Sequence, residues 1–263
     1  MRYAEYPPSP RCAGVVDRYW FLEGHGHGAP EPIFPDGRIE IVFHFGDPFE
    51  RHHPHGAIER QGLALMVGQM REPICIAPRG RAGVAGIRLR PSAGRAIAGC
   101  RADEISGSFV DVEAICGSTA LLRERLIEAS DDRARVALLE SWLQRWVVKT
   151  PSQAVDAAVA AITSRRGIVE LPAVAGAAGI SVRQLERRFL EDVGLAPKMF
   201  ARLVRLQSAL RGIANGWPLA DVAIACGYYD QAHMARDFNR LAETSPAAWR
   251  RHAGVLTPLF VAR

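Results

Sequence analysis

The stretch "GYYDQAHMARDFNRLAETSP", residues 227–246, combines a glycine, a short polar residue and an amphipathic run. Its glycine can adopt the positive φ of a sharp turn, and Asp230 can then cap the helix that follows. At about 100° per residue, Met234, Phe238 and Leu241 share one face of that helix. The long polar residues on its other sides must therefore face something outside the core.

The pattern of this stretch occurs twice in the chain. Eight positions of compatible chemistry recur with an offset of 48 residues before the turn and 49 after it. The matched pairs are Leu171 and Leu219, Ala175 and Ala223, Gly179 and Gly227, Ser181 and Asp230, Leu185 and Met234, Phe189 and Phe238, Pro197 and Pro246, and Phe200 and Trp249. So many matches indicate an internal repeat.

Each copy has the features of a helix-turn-helix unit. A small alanine allows the second helix to cross close to the first, and the glycine turns the chain between them. Ser181 and Gln184 have the spacing of a capping box. Between the copies, "PKMFARLVRLQSALRGIA", residues 197–214, predicts a long amphipathic helix that would fix the separation of the two units.

Residues from about 153 to 252 resemble the DNA-binding domain of the AraC/XylS family of transcriptional regulators. The segments "GISVRQLERRFLEDVGLAP" and "CGYYDQAHMARDFNRLAETSP" match the two recognition segments of that family. The N-terminal part is similar, more weakly, to the family's sensory domains, through the "PDG" turn at residues 35–37. The resemblance implies a regulator whose two recognition helices enter successive major-groove turns of double-stranded DNA.

The resemblance also implies which residues contact DNA. The predicted set is Arg183, Gln184, Glu186 and Arg187 in the first recognition helix and Gln231, Ala232, His233, Arg236 and Arg240 in the second. Two of these depart from the usual chemistry. Glu186 would accept a hydrogen bond from a cytosine amino group, or would instead pair with a neighbouring arginine. Ala232 could meet only a thymine methyl group. The alternative for all nine residues is a solvated helix face.

The distribution of charge agrees with a nucleic-acid partner for the C-terminal part. Residues 151–263 contain 14 Lys and Arg against 9 Asp and Glu, whereas residues 1–150 contain 19 of each. The net charge of +5 therefore belongs entirely to the C-terminal part. Nearly all of it is arginine, which suits bidentate contacts with phosphate and guanine.

The whole chain predicts an α+β protein of two domains. The N-terminal domain, residues 1–147, is expected to be a cupin-like β-barrel or sandwich with a helical annex that begins near Ser92. A linker is predicted at 148–152, and an all-α domain of two helix-turn-helix units joined by a long helix at 153–263. Short apolar bursts between Gly and Pro residues favour strands in the first part, while apolar stripes at helical spacing follow in the second.

The strand "RIEIVFHF", residues 38–45, leaves open what fills the barrel. Ile39, Ile41, Phe43 and Phe45 alternate with Glu40, Val42 and His44. If the apolar set points inward, the interior is either plain core or the wall of a pocket for a small-molecule effector. Leucines and tryptophans at 121–146 exceed what covering a sheet requires, so they predict a homodimer contact, with packing on the barrel as the alternative.

Histidines provide the rival interpretation, a cupin-like metalloenzyme with an appended helical domain. His25, His27 and Glu31 have the spacing of the first cupin metal motif, and residues 52–55 contain three more histidines. Glycines surround the first group, and the second half of the cupin motif is absent from the sequence. We therefore expect loop histidines without a metal or other cofactor, and no enzyme activity.

Several features indicate a cytoplasmic protein. No apolar run approaches the roughly 18 residues of a membrane helix, and the N-terminus lacks the apolar core of a secretory signal. Five scattered cysteines without a Cys-x-x-Cys pair suit reduced thiols. The expected partners are double-stranded DNA, an effector, a second copy of the chain and, for an activator, RNA polymerase.

Overall fold

The computed structural model of the chain describes residues 1–147 and 150–252. Part of the predicted linker at 148–152 and the end of the predicted domain at 153–263 lie outside these residues. The described chain has an N-terminal half built on two antiparallel sheets and a C-terminal half of helices, as the sequence predicts. None of the described helices combines the length and apolar character needed to cross a bilayer.

The larger sheet has six strands and the smaller sheet has four. In spatial order the larger sheet contains β1 (Arg2–Tyr6), β2 (Val16–His25), β9 (Arg81–Leu89), β4 (Glu40–His44), β7 (Ala64–Val67) and β10 (Phe109–Asp111). The smaller sheet contains β3 (Glu31–Ile33), β8 (Ile74–Ala77), β5 (Glu50–His52) and β6 (Ile58–Arg60). Neighbouring strands within each sheet run antiparallel.

The central strand β4 is buried on both faces. Its side chains point alternately to the two faces, and each face belongs to a different core. Ile41 and Phe43 belong to the core between the larger sheet and the helical annex. Val42 belongs to the core between the two sheets, and Glu40 and His44 line a cavity on that side. Glu40, Val42 and His44, rather than the apolar set, thus point into the space between the two sheets.

The helical annex covers the outer face of the larger sheet. It contains α1 (Gly94–Ala98), α2 (Val112–Cys116), α3 (Ala120–Glu128) and α4 (Asp132–Leu143), with 3₁₀ turns at Pro91–Ala93 and Ala102–Ile105. Leu126, Leu139 and Trp142 are buried against this sheet, and the Trp142 ring meets Phe43 edge-on at 5.0 Å. Most of the predicted apolar stripe is therefore used for packing within the chain.

Both edge strands of the larger sheet were absent from the sequence-based expectation. The strand β10 lies inside the region that the pattern assigned to helices, and it pairs with the edge of β7. The strand β1 forms the other edge and pairs with β2 over all five of its residues. Both are short edge strands, and what stabilises them is packing and pairing with a neighbouring strand, so local periodicity carries little signal for them.

The C-terminal half folds around one apolar core. Its helices are α5 (Gln153–Ser164), α6 (Leu171–Ala177), α7 (Val182–Val193), α8 (Pro197–Ala214), α9 (Leu219–Ala225), α10 (Gln231–Ala242) and α11 (Pro246–His252). The pairs α6–α7 and α9–α10 are the two helix-turn-helix units, and α8 joins them. Ala175 and Ala223, the small residues of the repeat, are both buried in this core.

The turns of both units have the predicted chemistry. Gly179 and Gly227 have φ of 67° and 69°, in the left-handed region that favours glycine. Ser181 and Gln184 form a complete capping box at the start of α7. Asp230 caps α10 by accepting a hydrogen bond from the backbone N–H of His233.

The two halves interlock through the loop at residues 34–37. Phe34 leaves the β domain and is buried in the helical core. The Pro35 carbonyl accepts a 3.0 Å hydrogen bond from Nε2 of Gln207 on α8. A side chain at Gly37 would lie 2.8 Å from the Phe200 ring of the same helix, so only glycine allows this approach. The "PDG" turn is therefore a contact between domains.

Candidate nucleic-acid interface

The recognition helix α10 separates its apolar and polar residues as the sequence predicts. Met234, Phe238 and Leu241 are buried in the helical core. Gln231, Ala232, Arg236 and Arg240 are exposed on the other sides. Neither Arg236 nor Arg240 has a carboxylate within 4 Å among the described residues, so both guanidinium groups are available to a phosphate or a base.

A polar anchor fixes α10 on the connector helix α8. Arg202 of α8 donates from Nε to Oδ1 of Asp237 at 2.9 Å and contacts the same carboxylate through a second nitrogen. The Tyr228 hydroxyl, in the preceding turn, lies 3.4 Å from Oδ2 of Asp237. Burial and the Asp237 carboxylate raise the pKa of Tyr228, so it stays a neutral donor. Asp237 thus determines how α10 lies on its support.

His233 is engaged within the turn rather than fully presented to solvent. Its Nδ1 accepts from the Tyr229 backbone N–H at 3.4 Å, and its ring meets Tyr228 edge-on at 5.3 Å. Tyr229 itself is 91% exposed, directly before the helix cap. The exposed Tyr229 ring therefore lies beside the predicted contact residues. Tyr229 was not among the residues predicted from the sequence.

The first recognition helix, α7, presents the other predicted residues. Arg183, Gln184, Glu186 and Arg187 are all exposed. The Gln184 side chain is already engaged, because its Oε1 accepts from the Ser181 backbone N–H at 3.1 Å. Glu186 forms no ion pair among the described residues, so the proposed pairing with a neighbouring arginine is not observed.

The C-terminal half of α7 contacts the β domain. Arg187 lies 3.3 Å from Glu191, one turn later. Glu191 also receives a 2.9 Å hydrogen bond from Arg95 of α1, and the Gly194 carbonyl accepts from Ser106 at 2.7 Å. The first recognition helix is therefore held by both domains, whereas its N-terminal half is free to approach a ligand.

Both recognition helices share α8 as their support. Phe189 of α7 meets Phe200 of α8 edge-on at 5.4 Å, while Asp237 ties α10 to Arg202 of α8. Because α8 is one continuous helix, it fixes the distance and orientation between the exposed faces of α7 and α10. The sequence predicted this helix, but the Arg202–Asp237 pair was missed because its members lie far apart in the chain.

Histidines of the rival metal-site interpretation pair with single acidic residues. His25 and His27 are exposed at the end of β2, and His27 pairs with Glu31 at 2.8 Å. His53 pairs with Glu59 at 3.0 Å on the other hairpin. Within residues 1–147 and 150–252, no group of three His, Cys, Asp or Glu side chains is placed to hold a metal ion.

Between the two sheets lies a cavity of about 90 Å³. Trp20, Val42, Phe49 and Ile76 contribute to its apolar walls, and Asp36 brings the interdomain loop to its rim. The space between the sheets is therefore not completely filled by side chains.

Two sequence families match the chain. The model of a helix-turn-helix domain matches residues 174–252, and that of a domain of unknown function, DUF6597, matches residues 4–111. The HTH-type transcriptional regulator MtrA of Neisseria gonorrhoeae is 35% identical over 79 residues, which are 30% of this chain and 26% of that protein. The chain therefore covers only about a quarter of this curated relative.

ToxT from Vibrio cholerae has a similar fold over nearly its whole length. The two superpose with a TM-score of 0.50 over 88% of this chain and 98% of that one, at 10% sequence identity. At this identity the likeness concerns the fold, an N-terminal β-rich domain followed by helix-turn-helix units. The assignment of the C-terminal half rests instead on the matched helix-turn-helix domain, the MtrA similarity and the repeat mounted on α8. This half of the chain carries a helix-turn-helix domain of the AraC/XylS type.

Proposed function

We propose that this protein binds double-stranded DNA sequence-specifically and regulates transcription from that site. The observation that carries the proposal is the pair of exposed polar faces on α7 and α10, both mounted on α8. The N-terminal residues of each helix would meet base edges in successive turns of the major groove. That MtrA is an HTH-type transcriptional regulator supports the proposal, whereas the described residues assemble no metal site that would support the metalloenzyme alternative.

Each predicted residue then has a role. Arg183, Glu186 and Arg187 would read bases from α7, and Gln231, Ala232 and Arg236 from α10. Gln184 and His233 would contribute their remaining hydrogen-bonding atoms from beside the helix starts, and Arg240 would contact phosphate. Arginine in this setting favours guanine, and Glu186 favours the cytosine amino group.

The test is selection of bound sites from random DNA with the full chain. We expect one enriched sequence motif with two conserved blocks. A matched preparation of the double variant Arg187→Ala and Arg236→Ala should lose enrichment in both blocks while remaining folded. If the unsubstituted protein enriched no DNA sequence over any other, sequence-specific binding would be contradicted.

A small-molecule effector in the cavity between the sheets would regulate this binding. Phe34, Pro35 and Asp36 line the cavity, and the same loop contacts α8 through Gln207 and Phe200. A ligand that shifts the loop would therefore act on the helix that sets the spacing of the recognition helices. This direct contact between the loop and α8 is what supports the proposed regulation.

Homodimer formation is a further part of the proposal. Leu121 and Ile127 of α3 are 66% and 50% exposed, and Ile115 of α2 is 51% exposed beside them in sequence. A second copy could cover these apolar side chains. Sedimentation of the full chain tests this, because a monomer at tens of micromolar would exclude the dimer. Leu121→Glu should dissociate it, with Arg133→Glu on α4 as the exposed control.

The remaining proposals follow from regulation of transcription. We place the protein in the cytoplasm, where its DNA target lies and where free thiols persist, since all five cysteines are unpaired. If it activates transcription, RNA polymerase is a further partner.

A further inference from the structure

The chemistry of the cavity wall restricts which effector it can hold, and this inference rests on the proposed effector site. Its volume of about 90 Å³ is smaller than the roughly 150 Å³ apolar cavity that accommodates benzene. The ligand therefore has no more non-hydrogen atoms than a single small ring. Apolar side chains such as Trp20, Val42, Phe49 and Val84 form much of the wall, which favours a hydrocarbon body.

The charged groups at the wall already neutralise one another. Arg88 is 3% exposed, and its Nε donates to Glu40 at 2.6 Å. A second guanidinium nitrogen lies 3.9 Å from Asp36. Arg38 pairs with Asp17 at 3.1 Å. An anionic ligand would have to draw Arg88 away from Glu40 and leave that largely buried carboxylate without its partner, which is strongly unfavourable.

One residue that lines the cavity has a buried polar atom without a partner among the described residues. His44 is 1% exposed, and its Nε2 lies 3.1 Å from the amide oxygen of Gln61, so Nε2 carries the proton. No described group hydrogen-bonds to the buried Nδ1 of this ring. Burial lowers the pKa of His44 to about 4, so the imidazole is neutral and Nδ1 retains its lone pair at neutral pH.

The backbone around His44 holds this ring in place. The His44 carbonyl accepts from Arg123 of α3 at 3.0 Å, and its N–H donates to the Leu63 carbonyl at 2.8 Å. The Phe49 ring meets the imidazole edge-on at 5.2 Å. A fixed, buried acceptor without a donor is destabilising, and a ligand that donates a hydrogen bond would remove this cost.

We propose that the cavity binds a compact, uncharged molecule with an apolar body and one hydroxyl group that donates to Nδ1 of His44. A small alcohol satisfies both the neutral wall and the vacant acceptor. A ketone of the same size has no donor, and a carboxylate brings a charge that the wall does not compensate.

The experiment is an NMR titration of the full chain with three probes of matched size: 2-butanol, 2-butanone and butyrate. We expect 2-butanol to bind roughly tenfold more tightly than 2-butanone, and butyrate to bind no better than the ketone. In His44→Phe the preference for the alcohol should disappear, whereas the exposed control His55→Phe should retain it. The ¹⁵N shift of His44 Nδ1 should move with the alcohol alone, a readout that needs no variant.

Three results would overturn the proposal: tightest binding of butyrate, an alcohol preference that survives His44→Phe, or no binding of any probe. DNA affinity measured on the same preparations separates this failure from that of the proposed function. A protein that binds its selected DNA site but prefers butyrate refutes the ligand class alone. A protein that binds 2-butanol through His44 but no DNA site refutes the regulatory function alone.

Discussion

At the scale of single residues, position on the helix distinguishes side chains of the same chemistry. Arg236 and Arg240 are both exposed on α10 and both lack an ion pair among the described residues, yet they lie one turn apart. Arg236 is nearer the helix start, where recognition helices reach base edges, and Arg240 is in the last turn. Arg187, on α7, differs again because Glu191 already orients it.

This difference predicts two kinds of loss. Arg236→Ala should weaken binding to the selected site by about 1–3 kcal/mol and relax the preference at particular base pairs. Arg240→Ala should weaken binding to all sequences alike and reduce the salt dependence. Anisotropy titrations against single-base variants at several salt concentrations measure both, with Arg60→Ala on the β domain as control. Identical, sequence-independent losses from both variants would refute the assignment.

His44 also predicts how stability depends on pH. Its pKa is about 4 in the folded protein and about 6.5 when unfolded, so the unfolded state binds the proton first as the pH falls. Stability from the neutral imidazole is complete above pH 6.5 and is lost progressively toward pH 4. Between pH 7 and pH 5 the free energy of unfolding should fall by roughly 2 kcal/mol more in the unsubstituted protein than in the His44→Gln variant. Urea unfolding at the two pH values measures the difference. The exposed control His55→Gln should leave the pH dependence of stability unchanged. The prediction is wrong if His44→Gln also leaves it unchanged.

At the scale of elements, the mounting of the recognition helices on α8 determines what they can read. Each helix has apolar contacts with the connector, but α10 also has the directional Arg202–Asp237 anchor. An apolar contact alone permits small rotations, whereas two hydrogen bonds to one carboxylate restrict them.

Asp237→Asn should therefore affect DNA recognition without touching DNA. Loss of the charged partner should lower the free energy of unfolding by about 1–3 kcal/mol, and it should broaden the base preference of the α10 half-site only. Chemical unfolding and selection from random DNA measure the two effects. Asp221→Asn, an exposed acid on α9, serves as the control. Equal broadening of the α7 half-site would mean that Asp237 supports the whole domain instead.

At the scale of the whole molecule, one chain carries both recognition helices and a sensory half that touches them. Loop 34–37 reaches α8 from the cavity, and Glu191 joins α7 to Arg95 of the annex. The two halves are therefore in contact at the connector and at the first recognition helix.

This architecture predicts an asymmetric operator. A single full-length chain should protect two major-groove segments on one face of the DNA, about 34 Å apart. Hydroxyl-radical footprinting on the selected site provides the measurement, and a site with five base pairs inserted between the blocks is the control, since it places them on opposite faces. Protection of only one segment, or a strict requirement for a palindrome, would refute the prediction.

The sequence by itself determined the helix-turn-helix repeat, its connector and the exposed residues of α7 and α10. These depend on local features, namely helical periodicity, a capping serine or aspartate, and glycine at the turns, whose physics acts within a few residues. The tertiary structure alone decided which face of β4 points into the barrel, since both faces are buried. It also placed Phe34 in the helical core and paired Arg202 with Asp237. Such contacts join residues far apart in the chain, and no local pattern encodes them, because their energy exists only once both partners are in place.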